Sequence, residues 1–408
     1  MQAETTADVI AAVELAKRDS HRIAVCSGGH SWSGNHLRDG GMLLDLSAMN
    51  SAAINKEKML AIVGPGCKGD ELLERLGKEK LFFPVGHCRG VGLGGYLLQG
   101  GYGWHGRTLG PACMSVEGLD IVTADGDLVH ASAKENSDLF WAARGAGPGF
   151  FGIVISFYLK LYERPPVIGF TLQNYPISCL EELFNWAYDV GPSVARSVEL
   201  MLIMSRNVLG VHGPGIIVIA PVFANSPSEA NDATRFMRDN PLRPKATLQL
   251  PFVPLGMRLL YRGVQRHYPD GCRYAVDNMW THASIDALMP GLKSIAETLP
   301  PAPSHVLWMN WMPPASRPDD MAYSMEDRVY LSLYGAWKDK ADDEKYAPWA
   351  VSHMQSMQHL ASGIQLADEN LGQRPARFAS DENMQKLDEV RATRDPENRF
   401  HPWMGRLK

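Results

Sequence analysis

Two stretches of this chain set a nucleophilic or basic side chain among glycines. The first is Ser27-Gly28-Gly29-His30-Ser31, and the second runs from Gly86-His87-Cys88-Arg89-Gly90-Val91 to Gly103. Eight of the 18 residues from Gly86 to Gly103 are glycine, against 38 of 408 in the chain, an enrichment of about fivefold. Glycine permits positive φ and close backbone approach, so successive amides form a concave nest for an anion. Arg89 alone brings a firm positive charge to the second stretch, so a phosphate there rests on backbone dipoles. Each nest carries a nucleophile, His30 or Cys88. Together they suit one cofactor with a pyrophosphate and a ring electrophilic enough to accept an imidazole or a thiolate. Flavin adenine dinucleotide (FAD) meets that description.

Gly90, Gly92 and Gly95 also fit the G-x-G-x-x-G pattern of nicotinamide-binding folds. The context contradicts that reading. Pro84 and a Gly-His-Cys turn separate these glycines from the preceding apolar residues, and further glycines fall where the helix should run unbroken. For proton transfer, Tyr330 and Tyr334 are candidates, since strand alternation puts both on one face of Val329 to Ala336, with packed sheet tyrosines the plainer reading. His87 and His105, bordering the glycines, are further candidates. The six cysteines form no C-x-x-C or zinc-ligand pair, so no metal site is expected.

The elements that must position these groups are legible in part. Thr5 to Lys17 places Val9, Ile10, Val13 and Ala16 on one helical face, with Thr5 or Thr6 as N-cap. A β run, Arg22 to Cys26, leads into the first nest. Met42 to Leu46 and Met59 to Val63 read as strands, Asp70 to Lys78 as a capped amphipathic helix. Asp125-Gly126 makes Val116 to Ser132 a hairpin, and Phe151 to Tyr162 is a long apolar strand. Pro165-Pro166 marks the main internal boundary. Beyond it β runs (Ile216 to Ala220, Val329 to Leu333) alternate with helices at Leu180 to Asp189, Pro227 to Arg238 and Met384 to Arg394. The Trp349, His353, Met357, Leu360 stripe reads as core packing. Trp308 and Trp311 with Trp280 form either an aromatic pocket or core.

Composition narrows the classes. A chain with 45% hydrophobic and 21% charged residues is an ordinary globular one. A net charge of −5 argues against nucleic-acid binding through a general basic field. No apolar stretch reaches the length of a membrane span and no secretory signal is evident, so a cytoplasmic protein without membrane contact is expected.

With these motifs in order, the sequence resembles the berberine bridge enzyme-like branch of the vanillyl alcohol oxidase superfamily. Ile23 to Ser31 resembles its first flavin motif, and Gly86-His-Cys with Val91 to Gly103 resembles its second. Ile121 to Gly126, Asp138 to Gly147, Phe151 to Phe157 and the closing Asp395 to Phe400 follow in the family's order. The likeness is dense over 5–165 and 366–404 and weak between. It implies an α+β fold of two domains: a PCMH-type FAD-binding domain from residues 1–165 and 352–408, and an inserted substrate-binding domain, 166–351, with an antiparallel sheet flanked by helices.

By the same resemblance, His30 bonds covalently to a methyl group of the flavin ring and Cys88 to ring carbon C6. Gly28, Gly29 and Ser31 hold the pyrophosphate, and Gly86, Gly92, Gly94 and Gly95 flank ring and phosphates. Gly152, Ile153 and Val154 meet the adenine side, with Asn398 and Phe400 near the cofactor. Val91 matches the position that gates oxygen, where a valine suits an oxidase. The expected activity moves a hydride from an alcohol or amine C–H of a small-molecule substrate to FAD, then reduces molecular oxygen to hydrogen peroxide. A dehydrogenase with another acceptor and a flavin-binding protein without turnover are the alternatives. Two departures stand out. The helix and strand that usually precede the region matching Thr5 are absent. The family's Tyr-x-Asn is replaced by Leu366-Ala-Asp-Glu-Asn370, so Asp368 or Glu369 takes the place of a phenol.

Overall fold

The computed structural model describes residues 1–312 and 320–406. The chain divides into two compact units. One is Met1–Arg164 with Arg377–Lys408 and the short return Ser316–Ser324, described from residue 320; the other is Pro165–Ala315 with Met325–Ala376. The first crossing falls at the double proline. The last falls at 376/377, later than the 351/352 drawn from sequence, because helix Asp343–Ser356 packs on the sheet of the second unit and its Trp349, Ala350 and Met354 join that core.

In the first unit, Thr5 closes a capping box with Asp8 at the start of helix Thr6–Arg18, which buries Val9, Ala12, Val13 and Ala16. Strands β1 (Arg22–Cys26) and β2 (Gly41–Asp45) form a parallel pair. A five-stranded sheet runs in the order β3-β4-β8-β6-β7, from β3 (Ala52–Asn55), β4 (Leu60–Val63), β6 (Val116–Val122), β7 (Leu128–Ser132) and β8 (Ile153–Lys160). Gly126 turns the β6–β7 hairpin at φ +91°. Two short strands, β5 (Leu81–Phe82) and β9 (Tyr162–Glu163), pair separately. Helix Gly69–Lys78 forms as expected, but Lys68 at its N-cap gives no side-chain bond; Asp70 is engaged elsewhere.

The second unit is an antiparallel sheet of seven strands with one face packed by helices and the other met by Tyr268, just after helix Met257–Gln265. Its strands are β10 (Val167–Pro176), β11 (Met201–Ser205), β12 (Gly215–Ala224), β13 (Leu248–Pro254), β14 (Arg273–Thr281), β15 (His305–Asn310) and β16 (Val329–Trp337). They lie in the order β13-β10-β12-β11-β15-β16-β14. Alternate residues, among them Leu202, Val218, Trp308 and Leu331, pack with helices Leu180–Val190, Ile285–Thr298 and Asp343–Ser356 into one core. No helix of the described residues is long and apolar enough to cross a membrane, and no group of three or more His, Cys, Asp or Glu side chains among them is arranged to hold a metal.

Candidate functional site

The two glycine nests, about 60 residues apart in sequence, meet backbone to backbone in the first unit. A Cβ on Gly28 would lie 2.6 Å from the amide nitrogen of Gly92, and one on Gly92 would lie 2.8 Å from that of Gly28. No side chain fits at either position. A Cβ on Gly94 would strike Ser27, and one on Gly90 would come 3.6 Å from His30 Nε2. His30 and the turn after Cys88 are therefore neighbours, while Gly28, Gly29, His30 and Gly95 remain exposed.

Local bonds fix each nest. The first follows directly from β1; Gly29 turns at φ +65°, where a Cβ would lie 3.8 Å from the Cys26 sulfur. Ser31 Oγ accepts the Asn35 amide at 3.1 Å. The second is braced by the segment leading into helix Gly69–Lys78. Gly69 N donates to the Val91 carbonyl (3.0 Å), Leu93 N to Cys67 (2.9 Å) and Gly94 N to Pro65 (2.9 Å). Asp70 accepts the Gly90 amide at 2.9 Å and Arg89 Nε at 3.2 Å. Sequence reasoning passed over this brace; a carboxylate in a helix's first turn looks like an ordinary dipole partner. Gly86 is buried, with a Cβ there reaching the Tyr96 ring at 3.4 Å, and the Tyr96 hydroxyl donates to the Pro84 carbonyl at 2.7 Å.

The closing motif lies along β1. Ile23 N donates to Arg399 O at 2.7 Å and Ile23 pairs with buried Phe400, while Asn398 stands exposed at φ +51°. Asp395 accepts the amides of Arg399 (2.6 Å) and Phe400 (3.1 Å). Gly152, Ile153 and Val154 are buried on the five-stranded sheet instead, entering β8 opposite Val122 and Ile121. His87 lies against Trp104 (ring centroids 4.3 Å), and His105 is buried edge-on to Phe82 (6.1 Å).

A second constellation sits within the other unit. Tyr330 and Tyr334, both buried on β16, donate their hydroxyls to one oxygen, Asp368 Oδ2, at 2.6 and 2.7 Å. Burial, then the adjacent Asp368 charge, holds both phenols well above their ordinary pKa. They are proton donors, and neither is a base by itself. Glu369 accepts the Leu371 amide at 2.6 Å and so shapes the backbone after Asp368.

Three supports of this cluster lay outside the sequence reading. The His305 ring stacks on Tyr334 (4.6 Å, 12°), and Tyr268 meets both edge-on. Burial, reinforced by His267, pushes the His305 pKa down to about 3, so the stacked imidazole is neutral. Asn278 clasps the backbone of Gln365, its Nδ2 donating to Gln365 O at 2.9 Å and its Oδ1 accepting Gln365 N at 2.8 Å. Arg374 forms a buried two-point pair with Asp277 (2.6 and 2.6 Å) and donates to Asn278 O. The one sequence signal was the pair Asp277-Asn278 inside an otherwise apolar strand. The tryptophans divide: Trp308 joins the helix-side core, whereas Trp280 lies 6.1 Å from Trp311 and 4.9 Å from Tyr330.

Residues 1–132 match a family described as an FAD binding domain. The FAD-linked oxidoreductase nodO of Hypoxylon pulicicidum is 32% identical over 98% of this chain and 89% of its own. Glucooligosaccharide oxidase of Sarocladium strictum is 33% identical over 51% of this chain and 43% of its own. Among solved structures, 6-hydroxy-D-nicotine oxidase from Arthrobacter nicotinovorans superposes with a TM-score of 0.86, at 24% identity, covering 98% of this chain and 90% of that one.

Proposed function

Because the chain belongs to the FAD-linked oxidoreductases of the berberine bridge enzyme-like branch, we propose that it is an oxidase acting on the C–H beside an alcohol or amine of a small molecule. FAD, when bound, supplies the two-electron acceptor for that hydride and passes the electrons to molecular oxygen, giving hydrogen peroxide. The unit built from both chain ends holds the cofactor. Its residues fit the group: the Gly28–Gly92 contact leaves a cradle without side chains, and exposed His30 stands beside it. His30 is the covalent anchor and Cys88 the second, with Gly29, Ser31, Gly86, Gly94 and Gly95 around the phosphates and ring. Gly152, Ile153 and Val154 serve the adenine end, Asn398 and Phe400 the flank along β1, and Val91 the path for oxygen.

The inserted unit handles the proton. The observation that carries this is the meeting of two neutral phenols on one Asp368 oxygen. A phenol whose own proton already points at a carboxylate can accept a substrate O–H or N–H proton on its oxygen while passing its own to Asp368. The departure from the family's Tyr-x-Asn is thereby compensated, with a carboxylate as final acceptor and Tyr330 or Tyr334 as the relay.

Anaerobic mixing of the holoenzyme with candidate alcohols and amines tests the reading. Bleaching of the flavin followed by fast reoxidation and peroxide in air is expected. Bleaching with slow reoxidation in air would identify a dehydrogenase, and a flavin that no substrate bleaches would point to a binding protein.

A further inference from the structure

The sheet face that carries Tyr330 and Tyr334 has a second character beside the proton relay. Directly opposed residues of antiparallel strands share a face, so register alone defines its rows. Tyr330 stands opposite Met309, which stands opposite Met201, which stands opposite Ile219. In the next row Ser332 leads to Leu307, Ile203 and Ile217. These six aliphatic or thioether side chains form a continuous platform two rows deep across β15, β11 and β12. It is the face away from the helices, since the helix-side core takes the alternate residues Leu202, Met204, Val218 and Val306. Ile203, Ile217, Ile219 and Leu307 remain half-buried.

Most polar side chains bordering the platform are committed; the exception is Asn174, opposite Ile217, whose Nδ2 donates to Leu209 O at 2.8 Å while its Oδ1 has no partner among the described residues. Asn278, at the end of the second row, spends both amide atoms on Gln365. Tyr330 and Tyr334 point their protons at Asp368. Across two rows of aliphatic and thioether side chains a hydroxyl-rich body would lose water for few partners, which is unfavourable. An apolar body would gain by every methylene it covers.

We propose that this platform binds the non-reacting part of the substrate, and that the substrate is a lipophilic alcohol or amine, not an oligosaccharide. The proposal rests on the oxidoreductase reading only for which end reacts; the apolar recognition is a binding property measurable without turnover. Equilibrium dialysis of the holoenzyme against a series of 2-alkanols from butanol to decanol reads it directly. The dissociation constant is expected to fall about threefold to fourfold per added methylene. Leu307→Asn, and separately the shorter, polar Ile203→Thr, should flatten that dependence, while Asp368→Asn should leave it unchanged. Binding that ignores chain length, a slope untouched in both platform variants, or tighter binding of cellotetraose than of any alkanol would overturn the proposal. Anaerobic bleaching in the same samples reports on the oxidase reading separately, so loss of one does not mask loss of the other.

Discussion

At the scale of single residues, the proposed proton relay divides its labour between Asp368 and the two tyrosines that donate to it. Both phenols are buried, and their elevated pKa values keep them protonated throughout the neutral range. Asp368→Asn removes the final proton acceptor and should lower kcat by about 10²- to 10⁴-fold with the flavin spectrum retained. Tyr330→Phe and Tyr334→Phe should each cost less if one phenol can relay for the other, with the double variant approaching Asp368→Asn; steady-state kinetics on the three variants checks this. His305 contributes through stability instead. Its folded pKa is near 3, against 6.5 for the free side chain. Between those values the unfolded chain binds a proton that the folded chain refuses, so this residue makes stability rise with pH across that window and fall on acidification. Melting curves from pH 7 to 4.5 should show a shallower loss for His305→Phe than for the parent protein.

At the scale of elements, the loop bearing Asp368 is set by β14. Asn278 fixes the height of Gln365, and the Asp277–Arg374 pair locks the chain a few residues further on. The pair is almost wholly buried, with Asp277 fully and Arg374 nearly shielded. Burial raises the Asp277 pKa against the pull of Arg374. Removing one partner strands a charge, so Arg374→Met should destabilise the inserted unit by about 3–5 kcal/mol, and Asp277→Leu with Arg374→Met together by much less. Denaturant titration of the three proteins separates these outcomes.

The same strand shows where sequence reading stops. Helix Thr6–Arg18 and the β6–β7 hairpin were legible because a capping box and an Asp-Gly turn are local signals. Strand Ala52–Asn55 was not, being four residues long and half-exposed on an edge. Tyr330 and Tyr334 were legible as a pair by alternation. Their shared partner lies more than 30 residues away in a loop, so only tertiary structure joins them. The Asp70 brace and the His305 stack are likewise long-range, and no periodicity announces them.

At the scale of the whole molecule, the fold is a flavin-binding unit assembled from both chain ends, with a seven-stranded sheet unit inserted between them. Pairing of Phe400 with Ile23 ties the last motif to the first, so the strand that leads into the first nest is braced by the far end of the chain. The constraint that joins the two nests is the Gly28–Gly92 contact. Gly28→Ala would put a methyl group 2.6 Å from a backbone nitrogen, which no side-chain adjustment relieves. That variant should fold, by circular dichroism, yet purify with little or no flavin.

Covalent FAD on His30, and on Cys88 as well, is a proposal that one preparation of the protein can decide. It is tested most directly by acid precipitation of the purified yellow protein, with absorption spectra of pellet and supernatant and mass mapping of the peptides. A yellow pellet and flavin mass on peptides containing His30 and Cys88 are expected. All the yellow colour passing to the supernatant, with both peptides at their unmodified masses, would contradict the proposal.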